Sequence, residues 1–177
     1  MSAIAARLGG SKGTLYNYFE SKEDLFLACV SRHCEELQAR LAELSAEEGD
    51  FRETLTRIGQ RYTEIVSSND VVQKFRMIVA EAERAPDLAR AFYANGPANA
   101  IAALAAFLAR AMENGDLRGD DPARAAQHFL GLCNSTLWKA RLCAVAPEPT
   151  KAEVRESAES AVAVFMAFYR KENSREG

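Results

Sequence analysis

The residues near the start of the chain that could do chemistry are hydrogen-bond donors and acceptors, not nucleophiles. Residues 9–19 read Gly-Gly-Ser-Lys-Gly-Thr-Leu-Tyr-Asn-Tyr-Phe. Ser11 follows two glycines, where its hydroxyl can accept from the free N–H groups of the next turn, and this predicts an N-cap and a short helix over residues 12–19. Lys12 and the hydroxyls of Tyr16 and Tyr18 can donate to phosphate, and the helix start adds its own N–H groups and positive dipole end. Thr14 and Asn17 can reach base edges, and Gly13, lacking a side chain, lets the helix approach a duplex closely. Leu15 and Phe19 lie four apart and anchor the opposite face. Between Met1 and Phe19 the only charges are Arg7 and Lys12, both positive. Ile4, Ala5 and Leu8 mark a preceding short helix, which completes a helix-turn-helix outline. The same pattern also describes a small packing helix with a solvated face.

A second set lies in the middle of the chain. Phe51, Tyr62, Phe75, Met77, Phe92, Tyr93 and Phe107 occur with Arg76, Glu81 and Glu83, aromatic walls with a few polar groups of the kind a small-molecule cavity between helices requires. Plain core packing explains the same aromatics. Catalytic patterns are missing. The two histidines, His33 and His128, stand alone, and there is no HExxH, no GxSxG elbow and no phosphate-cradling glycine loop after a strand. No enzyme, cofactor or metal site is therefore expected. Cys29, Cys34, Cys133 and Cys143 show no CxxC pair, which suits buried small apolar residues in a reducing compartment; a redox switch through Cys133 or Cys143 is the sharper alternative.

These residues need helices to position them. Ser21 with Asp24 opens a long helix to about residue 44, and Asp50 with Glu53 opens another over 51–66. Further helices are predicted over 71–84, 86–93 and 97–112, the second stopped by Asn95-Gly96-Pro97 and the third carrying Ile101, Leu104, Phe107 and Leu108 inward. Asp121-Pro122 starts a helix to about residue 145 with Ala126, Leu130, Cys133, Leu137, Ala140 and Ala144 in one stripe. Thr150 with Glu153 caps the last, on which Ala158, Val162, Phe165 and Tyr169 share a face. Nothing reads as a strand, so the expectation is an all-α chain of about nine helices. A chain of 177 residues that is 48% hydrophobic can bury a real core, and a net charge of -3 makes any attraction for phosphate a local property. The most apolar stretch, 98–112, is interrupted by Arg110 and falls short of the roughly 20 residues a bilayer requires, so no membrane span and a cytoplasmic location are expected.

The run from Ile4 to Phe26, with its Ser-Lys-Gly-Thr-Leu-Tyr-Asn-Tyr-Phe core and the following Glu-Ser-Lys-Glu, resembles the DNA-binding signature of the TetR/AcrR family of bacterial transcriptional regulators. That resemblance implies Ser11, Lys12, Thr14, Tyr16 and Lys22 as backbone-facing residues, and Asn17 and Tyr18 nearest the bases with Gly13 and Thr14 beside them. Gly10 stands where the family usually has an apolar residue, which implies a looser turn. The family also has a first helix before this point for which this chain leaves no room, so the resemblance implies a helix-turn-helix domain over 1–27 that is incomplete at its N-terminus, and an effector-binding and dimerisation domain over 28–177. The stretch from Phe75 through Cys143 is similar to the effector domain of the AefR-like branch. By the same likeness the partners are a double-stranded palindromic operator, a small-molecule effector and a second copy of the chain, the homodimer forming through the helices around 122–145 and 150–172. The resemblance places the effector site in the helical body without naming its residues; the lining expected from this sequence is Phe75, Ile78, Phe92, Phe107, Phe129 and Trp138, with His128 or Asn134 as polar contacts. A ligand there would move the Ser21 helix and change the separation of the two recognition helices. The alternative reading is a helical dimer that binds a small molecule or a protein but not DNA.

Overall fold

The computed structural model describes residues 9, 13–14, 17–21, 24–25, 28, 39, 43 and 49–171. Among them lie seven α-helices: α1 (Phe51–Ser67), α2 (Asn69–Glu81), α3 (Pro86–Tyr93), α4 (Asn99–Asn114), α5 (Pro122–Cys133), α6 (Leu137–Leu142) and α7 (Lys151–Tyr169). The only extended pairing among the described residues is an isolated antiparallel bridge between Leu117 and Arg170, so the fold is all-α.

Side chains start the helices where the sequence puts them. Asp50 Oδ1 accepts from the Glu53 N–H at 2.9 Å at the head of α1, and Asp121 Oδ1 accepts from Ala123 N–H at 2.9 Å ahead of Pro122 in α5. At α7 the box is reciprocal: Glu153 N–H donates to Thr150 Oγ1 at 3.3 Å, and Thr150 N–H donates to Glu153 Oε2 at 2.7 Å. The α4 helix ends on Gly115 at φ +86°, the left-handed position that favours glycine.

Three expectations about the elements need correction. The helix expected over 71–84 runs from Asn69 to Glu81, because Ser68 caps it by accepting from Val71 N–H. The Asn95-Gly96-Pro97 sequence does not stop a helix. Residues Ala94–Ala98 form a π turn that joins α3 to α4, and the Asn95 and Asn99 amides donate to the carbonyls of Ala91 (2.9 Å) and Asn95 (3.3 Å) within the joined helix. This produces a helical run of 29 residues, Pro86–Asn114, long and apolar enough by composition to cross a membrane, where residues 98–112 alone were expected to be too short. Its Leu104, Phe107, Leu108 and Ala111 are instead in the core of the helical body. Third, the helix expected to reach about residue 145 breaks after Cys133. Three consecutive side chains draw the chain out of α-helix there: Asn134 donates to Tyr62 Oη (3.0 Å), Ser135 to the Leu132 carbonyl (2.6 Å), and Thr136 shares a hydrogen bond with Ser157 (3.0 Å).

The core lies where α1, α4, α5 and α7 meet. Leu55, Ile58, Leu104, Leu108, Phe129, Val162 and Phe165 are buried together, with Phe129 edge-on to Phe165. Gly59 sets the approach of α1, since a Cβ there would stand 3.1 Å from Phe129 Cζ and 3.4 Å from Ala158 Cβ. The stripe Ala158, Val162, Phe165 and Tyr169 is entirely consumed inside the subunit.

Candidate functional site

The N-terminal segment presents part of the predicted set. Gly9 is in a turn at φ +67°, which suits the expected glycine turn. Gly13 and Thr14 are helical, and Asn17 N–H donates to the Gly13 carbonyl at 3.1 Å. Asn17 and Tyr18 are in a turn and Phe19 is outside the helix, so the helix expected over 12–19 closes earlier. The chain must bend here for Ser21 Oγ to accept from Asp24 N–H (3.0 Å) and begin the next helix. Gly13, Thr14, Asn17 and Tyr18 are all exposed, Tyr18 at 79%. Ser11, Lys12, Tyr16 and Lys22 lie outside the described residues, as does most of the helix expected from Ser21 to about residue 44, of which residues 24, 25, 28, 39 and 43 are helical.

In the helical body, α1, α2, α3, the π turn and α6 enclose a cavity of about 350 Å³, within the range of small-molecule sites. Phe75 is its centrepiece, edge-on to Phe92 at 5.8 Å and to Trp138 at 5.1 Å. Ile65, Val66, Val71, Pro97 and Ala100 complete the apolar wall, with Tyr93 beside Phe92. The lining contains no carboxylate, and its one cation, Lys74, is paired with Asp70 at 2.6 Å. The inner polar wall is Tyr62 and Asn134. Burial pushes the Tyr62 hydroxyl up to about 12, against the opposing effect of the hydrogen bond from Asn134, so it is a neutral donor at physiological pH. Asn134 Oδ1 is buried and has no hydrogen-bond partner.

Of the predicted lining, Phe75, Phe92, Asn134 and Trp138 come together around this cavity. Four others do not. Phe107 stacks on Phe51 at 5.4 Å and Phe129 packs on Phe165, both inside the core. Ile78 is buried on α2 outside the cavity lining. His128 is exposed on α5 and hydrogen-bonded to Tyr169 at 2.7 Å. Phe107, Phe129 and His128 are each partnered by a ring on another helix, and helical periodicity does not distinguish a side chain that fills space from one that borders it. Tyr62, Lys74 and Tyr93 were missed as lining; two of the three belong to the aromatic set of the middle helices.

Two arginines tie the cavity walls. Arg76 on α2 donates to the Leu142 carbonyl (2.9 Å) and the Arg141 carbonyl, covering the end of α6. Arg141 on α6, itself buried, donates to the carbonyls of Ser67 (3.0 Å) and Ala146 (3.0 Å) and to Asn69 Oδ1, covering the end of α1. The α1–α2 junction and α6 are thereby held from both sides.

A separate shallow groove lies between α5 and α7, its lining including Gln127, His128, Gly131, Leu132, Val164 and Phe168. Val164 and Phe168 are 54% and 56% exposed, large apolar side chains on a helix whose other stripe is fully buried. Arg118 stacks over Phe168 at 3.8 Å. Cys133 is buried, and desolvation pushes its thiol up to about 12, which disfavours the thiolate that a redox switch requires; Cys143 is exposed. Among the described residues no three His, Cys, Asp or Glu side chains gather as a metal site.

An exposed N-terminal turn-helix segment precedes an all-helical body that holds an apolar cavity, the arrangement of an all-α regulator. Residues 1–29 match the family of bacterial regulatory proteins called the tetR family, and residues 53–171 match the C-terminal domain of AefR-like transcriptional repressors. The chain belongs to the TetR family of transcriptional regulators. Among solved structures it is similar to one described as a TetR-family transcriptional regulator from Mesorhizobium loti MAFF303099, at 27% identity and a TM-score of 0.86, covering 96% of this chain and 86% of that one. It is also similar to the flavonoid-responsive regulator FrrA, at 32% identity and a TM-score of 0.73, covering 97% and 87%. FadR from Bacillus subtilis, crystallised with stearoyl-CoA, shares the fold at 17% identity and a TM-score of 0.72, covering 93% and 85%. Regulators of this family are DNA-binding proteins, generally non-enzymatic, that respond to small-molecule effectors and act as dimers.

Proposed function

We propose that this chain is a repressor, dimeric and cytoplasmic, released from a palindromic operator when a small molecule enters the cavity behind Phe75. The observation that carries the reading is the union, in one chain, of the family's DNA-binding segment and an AefR-like repressor domain. The cavity supplies a place for the effector, and FrrA, described as flavonoid-responsive, is a relative whose response is to a small organic molecule. The dimer forms through α5 and α7 around Val164 and Phe168, the exposed apolar face left once the inner stripe is spent. Ligand between α1, α2 and α6 shifts the helix that Ser21 caps, and the two recognition segments lose the roughly 34 to 36 Å separation that matches successive major grooves.

In this arrangement Ser11, Lys12, Tyr16 and Lys22 hold phosphate, and Gly13, Thr14, Asn17 and Tyr18 face the bases. Salt titrations of binding to the chain's own promoter region and to a scrambled duplex test it. Lys12→Ala and Lys22→Ala weaken binding to both duplexes and flatten the salt slope by about one each. Asn17→Ala lowers discrimination between them. Equal loss on both duplexes for Asn17→Ala would remove the base-reading role, and no discrimination by the unaltered chain would remove the repressor reading.

A further inference from the structure

The polar wall of the cavity specifies the chemistry of its occupant. Asn134 Nδ2 donates to Tyr62 Oη at 3.0 Å. This leaves the Tyr62 hydrogen with no acceptor among the described residues, and Asn134 Oδ1 with no donor. Turning the amide over would exchange the roles and again leave one donor and one acceptor. We propose that the effector is a neutral hydroxylated aromatic compound whose hydroxyl bridges Tyr62 and Asn134, accepting from one and donating to the other. This rests on the reading of the cavity as the effector site.

The alternatives fit less well. A hydrocarbon leaves the Tyr62 hydrogen without an acceptor and the buried Asn134 Oδ1 without a donor. A ketone can accept from the tyrosine but offers nothing to Asn134 Oδ1. A carboxylate meets that oxygen lone pair on lone pair, and it must give up its water in a cavity whose only cation is already neutralised by Asp70. An ammonium finds no carboxylate in the lining. The aromatic part of the occupant is set by Phe75, Phe92 and Trp138, whose edge-to-face arrangement offers ring faces and edges to a flat molecule.

The chain has a single tryptophan, Trp138, and it borders the cavity, so its fluorescence reports occupancy directly. Three probes of nearly the same shape separate the possibilities: 4-hydroxybiphenyl, biphenyl and biphenyl-4-carboxylate, titrated against the full chain. We expect 4-hydroxybiphenyl to bind at least about tenfold more tightly than either of the others, since a site built to hydrogen-bond a hydroxyl rejects the analogue lacking it. In Tyr62→Phe and in Asn134→Leu that preference collapses while biphenyl still binds, which keeps the result distinct from a failure to fold. If biphenyl binds the unaltered chain as tightly as its hydroxyl derivative, or if the preference survives both substitutions, the hydroxyl proposal fails and the cavity reading stands. If none of the three changes Trp138 emission, both fall.

Discussion

Replacing Arg141 with methionine tests whether the two-arginine tie sets the geometry of the cavity. The guanidinium donates to three acceptors, the Ser67 and Ala146 carbonyls and Asn69 Oδ1, and hydrogen bonds to a charged group contribute about 1.5–3 kcal/mol each. Three such bonds overstate the loss. Asn69 is exposed and regains water when the arginine is gone, whereas Ser67 is buried and its carbonyl stands to be left unpaired. Methionine also removes the desolvation cost of the buried guanidinium. The net expectation for Arg141→Met is a destabilisation of about 2–4 kcal/mol, or a fall in Tm of about 5–15 °C for a chain of this size. Arg141→Lys recovers only a minor part, because one ammonium cannot serve three acceptors arranged around a planar fork. Urea unfolding followed by circular dichroism measures the first effect, and Trp138 emission in the folded baseline reports the movement of α6. A methionine variant within about 0.5 kcal/mol of the unaltered chain, the range of ordinary surface substitutions, or a lysine variant equal to it, would refute the assignment of Arg141 as the tie between α1 and α6.

Val164→Glu, placing a charge on the exposed face beside Leu132 and Phe168, is expected to convert dimer to monomer without loss of helical content, read by sedimentation velocity; an unchanged dimer would move the interface elsewhere. Gly59→Val should destabilise by about 1–3 kcal/mol, since its Cβ alone would meet Phe129 Cζ at 3.1 Å, and a loss of m-value with it would signal a loosened native core. Cys133 and Tyr62 have folded pKa values of about 12 against ordinary values of 9.0 and 10.0, so each favours the folded state while protonated. Stability from this source is complete below pH 9, declines as the unfolded thiol and phenol ionise, and is lost as pH rises toward about 12. Cys133→Ala should flatten that alkaline decline in urea unfolding, at the cost of a small cavity.

What the sequence discloses and what it hides divide along the distance over which each feature is decided. Helix starts were legible because Asp50 with Glu53, Asp121 before Pro122, and Thr150 with Glu153 satisfy N–H groups two or three residues away. The break after Cys133 was not, because Asn134 leaves the helix toward Tyr62, 72 positions earlier in the chain. Arg141 and Arg76 were invisible as a tie between elements for the same reason, the partners that link α6 to α1 and α2 lying 65 to 74 positions away. The cavity was half legible. Aromatic content marked Phe75, Phe92 and Trp138 as wall material, but Phe107 and Phe129 are equally aromatic and are buried in the core, packed on Phe51 and Phe165. Periodicity identifies which side chains avoid water; it does not say which of them end with nothing opposite.

The π turn at Ala94–Ala98 acts as a phase shifter within the run from Pro86 to Asn114. One extra residue in the turn offsets the face before it from the face after it, so a single rod can show Phe92 and Tyr93 to the cavity and Leu104, Phe107 and Leu108 to the core. Deleting one of those five positions would restore uninterrupted α-helix and rotate everything upstream by about 100°. The core half would stay seated while the cavity lost two of its rings. A change of one residue in length at this point could therefore redirect a regulator of this architecture to a differently shaped effector, with no substitution in the lining and no disturbance of the helices that hold the molecule together.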